Sequence, residues 1–347
     1  MAQTLSPGLT VRILSIDGGG IRGILPARLL QEIERRTAKP AAELFHLVSG
    51  TSTGGIICCG LVKGMQAAAL GDLYAQQGAT IFQRSMWQKV SNPAQLVGAK
   101  YDPAAIEKIL LEILGELSLS EVTNTEILVP TYVIELPRPE GQDGYDVITT
   151  RTPMFFKSWK ARGAGLAPGE VREEFDFKLR DVARATSAAP TYFPPAQVTN
   201  AKNQKFGVID GGVLANNPAM CALSSARQLF PQAKRTVLVS LGTGSLERDI
   251  PYEQAKNWGE LQWLHPILSV LMDGNADTVC YQCDQVLGSD HYRLEISLGR
   301  NPNDPTSVNE DFDDASPDNV ARLERLSRRL ISDADARLDA ICTELVG

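Results

Sequence analysis

Runs of strand-like apolar residues alternate with runs at helical spacing along most of this chain, and that alternation limits the architecture more than any other feature. Val11–Ile16, Phe45–Ser49, Ile127–Leu136, Phe206–Ile209 and Thr236–Leu241 read as strands. Between them, Gly23–Arg36 carries Leu25, Leu29 and Ile33 on one helical face, and Thr53–Lys63 reads as a second helix. Such alternation favours a layered α/β fold, in which helices cover a sheet. Asp102-Pro103 supplies an N-cap and a favoured first helical residue ahead of Ile106, Ile109, Leu110, Ile113, Leu114 and Leu117. A further strand is expected at 145–150, after a polar turn through Gly141, Asp143 and Gly144. Segments 160–169 and 301–319 read as loops, and Val320–Leu345 as one terminal amphipathic helix. There are no repeats and no linker long enough to force a boundary. The 347 residues are therefore expected to form one domain, with a core over about 11–326.

A composition of 43% hydrophobic residues allows a large core, and a net charge of -7 disfavours broad nucleic-acid binding. The first ten residues are polar and lack a targeting pattern. The longest apolar stretches, such as Gly54–Val62, are far short of a membrane span. The expectation is a cytoplasmic protein whose membrane contact is peripheral. Cys58 and Cys59 read as reduced core residues. Cys280 and Cys283 form a lone CxxC, best read as helix packing, since a zinc site needs further ligands nearby. No metal or cofactor is expected.

Three short segments carry chemistry. Gly50-Thr51-Ser52-Thr53-Gly54 fits G-x-S-x-G between a strand and a helix, where small flanking residues let a nucleophilic serine sit on a sharp turn. Asp17-Gly18-Gly19-Gly20-Ile21-Arg22-Gly23 closes the first strand with amides open to a negative oxygen. Gly18, Gly20 and Gly23 also fit the dinucleotide fingerprint, but that reading wants an acid closing the second strand, and Ser49-Gly50-Thr51-Ser52 stands there instead. Asp210-Gly211-Gly212 ends a strand as Ser52 does, and all three segments are expected beyond the carboxyl ends of strands. By position alone, His265 or His291 could complete a Ser/Asp/His triad, while His46, six residues before Ser52, is badly placed.

In this order, Asp17–Gly23, Gly50–Gly55 and Asp210–Gly212 resemble the patatin-like phospholipases. Ala185–Pro195, Leu241–Gly244, Trp258-Gly259 and Asp313–Ser316 are similar to further segments of that family, so the resemblance covers about Val11 to Leu326. It implies a three-layer α/β/α fold with a central, mostly parallel sheet. It also implies a lipid acyl hydrolase, or phospholipase A, working without metal through a Ser–Asp dyad. The nucleophile then maps to Ser52, the base to Asp210, the oxyanion loop to Gly18, Gly19 and Gly20, and the family's basic position to Arg22. Arg22 is open to two roles, holding the loop or meeting a lipid phosphate, with a solvated helix-start arginine as the plain alternative.

The substrate expected from the resemblance is a phospholipid or other acyl lipid at a membrane surface. A dinucleotide-binding oxidoreductase and a non-catalytic lipid-binding or storage protein are the competing readings. Some bacterial patatin-like enzymes are switched on by cyclic nucleotides; no receptor site of that kind is legible here, so an activator and a homo-oligomer both stay open. The segment 61–97 is expected to cap the site, with Met65, Leu70, Leu73, Ile81, Phe82, Met86 and Trp87 either dipping into lipid or packing as a buried helix pair.

Overall fold

The structure is a computed structural model, and it describes residues 10–82, 98–137, 151–164, 170–245, 249–263, 266–299, 307–309 and 311–347. Among these, the strands are β1 (Thr10–Ile16), β2 (Leu47–Gly50), β3 (Glu126–Glu135), β4 (Thr152–Lys157), β5 (Ala196–Thr199), β6 (Lys205–Asp210), β7 (Arg235–Leu241) and β8 (His291–Leu294). They form one sheet in which hydrogen-bonded neighbours run β5-β6-β3-β2-β1-β7-β8, with β4 also paired to β3. The sheet is mixed: β1, β2, β3, β7 and β8 pair in parallel, while β4 and β6 run antiparallel to β3 and β5 antiparallel to β6.

Parallel strands need crossovers, and the crossover helices cover both faces of the sheet. The helices used below are α1 (Ile24–Thr37), α2 (Thr53–Lys63), α3 (Ala67–Ile81), α4 (Pro103–Leu114), α5 (Leu179–Thr186), α6 (Ala219–Leu229), α7 (Pro266–Leu287), α8 (Pro317–Asp333) and α9 (Asp335–Val346). Side chains alternate along β1, so Val11 and Ile13 pack on one face with Ala219, Ala222 and Leu223 of α6. Leu14 and Ile16 pack on the other face with Leu25, Leu29 and Ile57. A strand buried on both sides reads as a near-continuous apolar run, and β1 is apolar at four of its six positions from Val11 to Ile16. The result is a three-layer α/β/α fold.

Several boundaries differ from the sequence expectations. The strand expected at 145–150 and its turn lie outside the described residues, and the antiparallel partner of β3 is Thr152–Lys157. The expected terminal helix is two, α8 and α9, divided at Ala334. A straight 26-residue helix would run roughly 39 Å; the break lets Leu338, Ile341 and Leu345 return to the same core as Leu323 and Leu330. The expected cap is core over its described part: Leu70 and Ile81 are buried, and Met65, Leu73 and Phe82 pack against them. Met86 and Trp87 lie outside the described residues.

One detail of pairing positions the candidate site. Leu128 pairs with both Ser49 of β2 and Lys157 of β4, and Thr131 pairs with both Asp210 of β6 and Met154 of β4. A strand has two edges, so β4 occupies one edge of β3, and β2 and β6 share the other. There β2 runs parallel to β3 and β6 runs against it. Their carboxyl ends therefore meet head to head beside Val129 and Pro130. Pro130 has no N–H to donate, so its place at this gap leaves no ladder donor stranded.

Candidate active site

Ser52 is the residue on which β2 turns into α2. Its φ of 53° and ψ of -120° are held in a region that L side chains rarely adopt. The turn is so tight that a Cβ at Gly54 would overlap the carbonyl of Ile16, which fixes glycine there. The Ser52 N–H donates to Thr186 Oγ1 at 3.0 Å, tying the elbow to α5. The first turn of α2 leaves N–H groups without intrahelical acceptors, Thr53 among them, and brings the positive end of the helix dipole to the same spot.

Asp210 is the last residue of β6 and has no solvent exposure. Gly212 N–H donates to its Oδ1 at 2.6 Å, and Oδ2 has no partner at standard geometry among the described residues. The Ser52 hydroxyl lies close enough to act on the carboxylate as a hydrogen-bond donor. Burial pushes the Asp210 carboxyl up to about 7, against the smaller lowering effects of Gly212 N–H, the Ser52 hydroxyl and the Arg184 guanidinium. An aspartate in water titrates at about 3.9. Complete desolvation moves it.

The glycine loop abuts this pair. A Cβ built on Gly18 would stand 3.4 Å from Ser52 Cβ. Gly18 is nevertheless not an open donor, because its N–H is bonded to Asn216 O at 3.0 Å and its carbonyl accepts from Thr243 Oγ1 at 2.7 Å. This corrects the expected three-glycine oxyanion loop. The backbone amides of Gly19 and Gly20 find no acceptor among the described residues. Gly20 has a φ of 56° and packs against the Phe312 carbonyl, where any side chain would collide. Arg22 is neither solvated nor free to meet a lipid phosphate. It is 2% exposed, its Nε and Nη1 reach the carbonyls of Gly19 and Gly244 at 3.4 Å, and its guanidinium stacks 4.2 Å from the Phe312 ring centre. It braces the loop from behind.

Histidine is absent from this arrangement among the described residues. His46 precedes β2 and accepts from Arg12 N–H through Nδ1 at 3.1 Å. His291 opens β8 opposite Leu238, in the middle of β7, and β8 is three strands along the sheet from β2. His265 lies outside the described residues.

The sequence reading passed over four residues of the site. Thr186 holds the Ser52 amide, and the Arg184 guanidinium acts on Asp210 through its charge. Asn216 places a buried Oδ1, without a hydrogen-bond partner among the described residues, beside Gly18 and Gly212. Thr53 offers its amide. Arg184 and Thr186 lie in or beside the small-residue segment at 185–195, which stands out in the sequence for its family resemblance alone; spacing carries no sign that it touches Ser52. Two surface cavities of about 320 Å³ lie elsewhere, between α3 and α4 and between α1 and α8, and neither is lined by Ser52 or Asp210. Chemistry, and not cavity size, singles out this position.

Fold and site together define an α/β protein with a serine on a strand–helix elbow facing a buried aspartate. The family model for patatin-like phospholipase matches residues 14–223. The chain belongs to the patatin-like phospholipase family, and at that level it is a lipid acyl hydrolase relative. It is 28% identical over 94% of its length to "Patatin-like protein 1" of Arabidopsis thaliana, covering 83% of that protein. It is 30% identical over 97% of its length to "Patatin-like protein 2" of the same plant, covering 87%. It is also 29% identical to "Probable inactive patatin-3-Kuras 1" of Solanum tuberosum, over 93% of this chain and 87% of that one. Among solved structures, human GIVD cytosolic phospholipase A2 matches with a TM-score of 0.47 and 12% identity, over 97% of this chain and 60% of that one.

Proposed function

We propose that this protein is a phospholipase A-type lipid acyl hydrolase in which Ser52 is the nucleophile and Asp210 the general base. The observation that carries this reading is the strained Ser52 elbow facing the wholly buried Asp210 across the junction of β2 and β6. Asp210 takes the Ser52 proton as Oγ attacks the ester carbonyl of the acyl chain. The amides of Gly19, Gly20 and Thr53 are the donors for the oxyanion, each worth roughly 3 kcal/mol in comparable sites. The protonated Asp210 then gives its proton to the leaving lysolipid alcohol. It next accepts one from the water that hydrolyses the acyl-enzyme.

Access by lipid is supported by exposed apolar side chains beside Asp210. Val213 follows the Asp210-Gly211-Gly212 turn, and Ile267, Val270 and Leu271 on α7 are exposed, Leu271 by 62%. Met272 Cε would lie 2.9 Å from a Cβ on Gly212, which joins this apolar stretch to the site. No helix among the described residues is long and apolar enough to cross a membrane. We place the action at a membrane surface, from the cytoplasmic side.

A fluorophosphonate probe is expected to label Ser52 alone, and Ser52→Ala is expected to abolish both labelling and ester hydrolysis while keeping the wild-type melting curve. Labelling of another serine in Ser52→Ala would refute the assignment. Hydrolysis is also expected to be indifferent to calcium. Asp313 is bonded to Tyr101 and Lys100, and Asp314 accepts from Asn309 Nδ2 at 2.8 Å and Ser316 N–H at 3.1 Å, so these carboxylates already face protein donors. A rate that rises on adding calcium to calcium-free enzyme would contradict this.

A further inference from the structure

Helix α7 ends just before β8, and three side chains of metal-binding type converge at that junction. One ligand atom each from Cys280, Asp284 and His291 lies within 4.8 Å of the others. Cys280 and Asp284 are four residues apart on α7 and so share a face; His291 is the first residue of β8. The CxxC is divided between two tasks. Cys283 is fully buried in the apolar layer with Val279 and Leu238, whereas Cys280 is half-buried and turned to the cluster. The sequence alone offered a two-cysteine motif short of ligands; the fold supplies the other two from outside it.

The His291 side chain has no solvent exposure, its Nδ1 stands 2.7 Å from Asp284 Oδ1, and its Nε2 has no hydrogen-bond partner among the described residues. Nδ1, which faces Asp284, is therefore the nitrogen that an ion shared with Asp284 takes. The surroundings are acidic. Asp17 and Asp277 act on Cys280 together with Asp284, against Arg293. Arg293 is itself held by Asp17 at 2.6 Å and by Glu295. Arg337 also acts on His291.

We propose that Cys280, Asp284 and His291 bind one divalent transition cation of the zinc type, with a fourth position open to water. Thiolate, imidazole and carboxylate donors together select such an ion over magnesium or calcium, which take oxygen ligands. Cys280 gives up its thiol proton to solvent as the ion binds. The exposed Asp284 provides the way in. The ion ties α7 to β8 and, through Arg293 and Asp17, stands behind the strand that leads into the glycine loop. It takes no part in the reaction at Ser52, which follows β2, three strands along the sheet from β8.

The test is titration of the full chain, first stripped with chelator, with cobalt(II) as a spectroscopic stand-in for zinc. One equivalent is expected to give a near-ultraviolet thiolate-to-cobalt band and the visible bands of tetrahedral cobalt. Zinc is expected to bleach both, and calcium or magnesium in large excess to leave them. Cys280→Ser should remove the thiolate band, while Cys221→Ser, at a half-buried thiol on α6, should keep it. Asp284→Ala changes an exposed side chain, so it keeps the fold and should weaken binding at least tenfold. His291→Ala should do the same, with circular dichroism showing that it is folded. A titration that does not saturate, a thiolate band that survives Cys280→Ser, or competition by calcium at equal concentration would each overturn the proposal.

Discussion

Asp210→Asn is expected to lose ester hydrolysis about as completely as Ser52→Ala, on the order of 10⁴-fold in kcat by comparison with the loss of a base or its orienting carboxylate in other serine hydrolases. The amide preserves shape, and its oxygen can still accept from Gly212 N–H, but it cannot take a proton from Ser52. His46→Ala and His265→Ala are expected to leave most activity. His46 is held by Arg12 N–H and the Phe230 edge, ahead of β2 and away from the elbow. A serine–histidine mechanism predicts the opposite for one histidine. A folded but inactive His265→Ala beside an active Asp210→Asn would therefore remove the dyad.

The same substitution is expected to make the protein more stable. Burial raises the Asp210 carboxyl from 3.8 to about 7. Between these values the folded state holds a proton that the unfolded state has released. Stability from this group is thus fully present below about 3.8 and is lost as pH rises to about 7. At roughly 1.4 kcal/mol per pH unit, the ionised carboxylate costs up to about 4 kcal/mol above neutrality. Asparagine avoids that cost. Thermal melts of Asp210→Asn and wild type should diverge as pH rises from about 4 to 7 and keep a constant gap of several degrees above it. Wild-type kcat/KM should rise over the upper part of that range, since the base works only when ionised. A wild type that melts higher than Asp210→Asn at pH 8 would show that the carboxylate is not held at a desolvation cost. The pH profile alone does not separate this base from a histidine, because about 7 falls in the histidine range; the substitutions do.

Much of this was legible in the linear chain, for local reasons. Backbone sterics at an elbow demand small residues two positions either side of Ser52, and that demand is written as Gly50 and Gly54. Asp102 and Pro103 open α4 as the cap rules require, with Asp102 accepting from Ala104 N–H at 2.9 Å. The run Val11–Ile16 is mostly apolar, with Val11, Ile13, Leu14 and Ile16 all buried, because both faces of β1 are covered. Each of these signals lies within a few residues of what it specifies.

What spacing does not encode is which segments meet. The sequence placed Ser52 and Asp210 beyond the carboxyl ends of strands in a mostly parallel sheet, without saying which strands run against the rest. In the fold β6 runs against β3, and the pair meets only because β2 and β6 share one edge of that strand end to end. The same blindness hid Thr186 behind Ser52, gave Gly18 to the Asn216 carbonyl in place of an oxyanion, and buried Arg22 against Phe312. It also concealed the desolvation that lifts Asp210, because solvent exclusion is a property of the packed layers and not of any one residue. The sequence by itself determined the chemistry of each residue and the shape of each turn, since both are set by atoms close along the chain. Only the tertiary structure decided their partners and their charge states, since those depend on contacts between segments far apart in the chain and on the water that such contacts exclude.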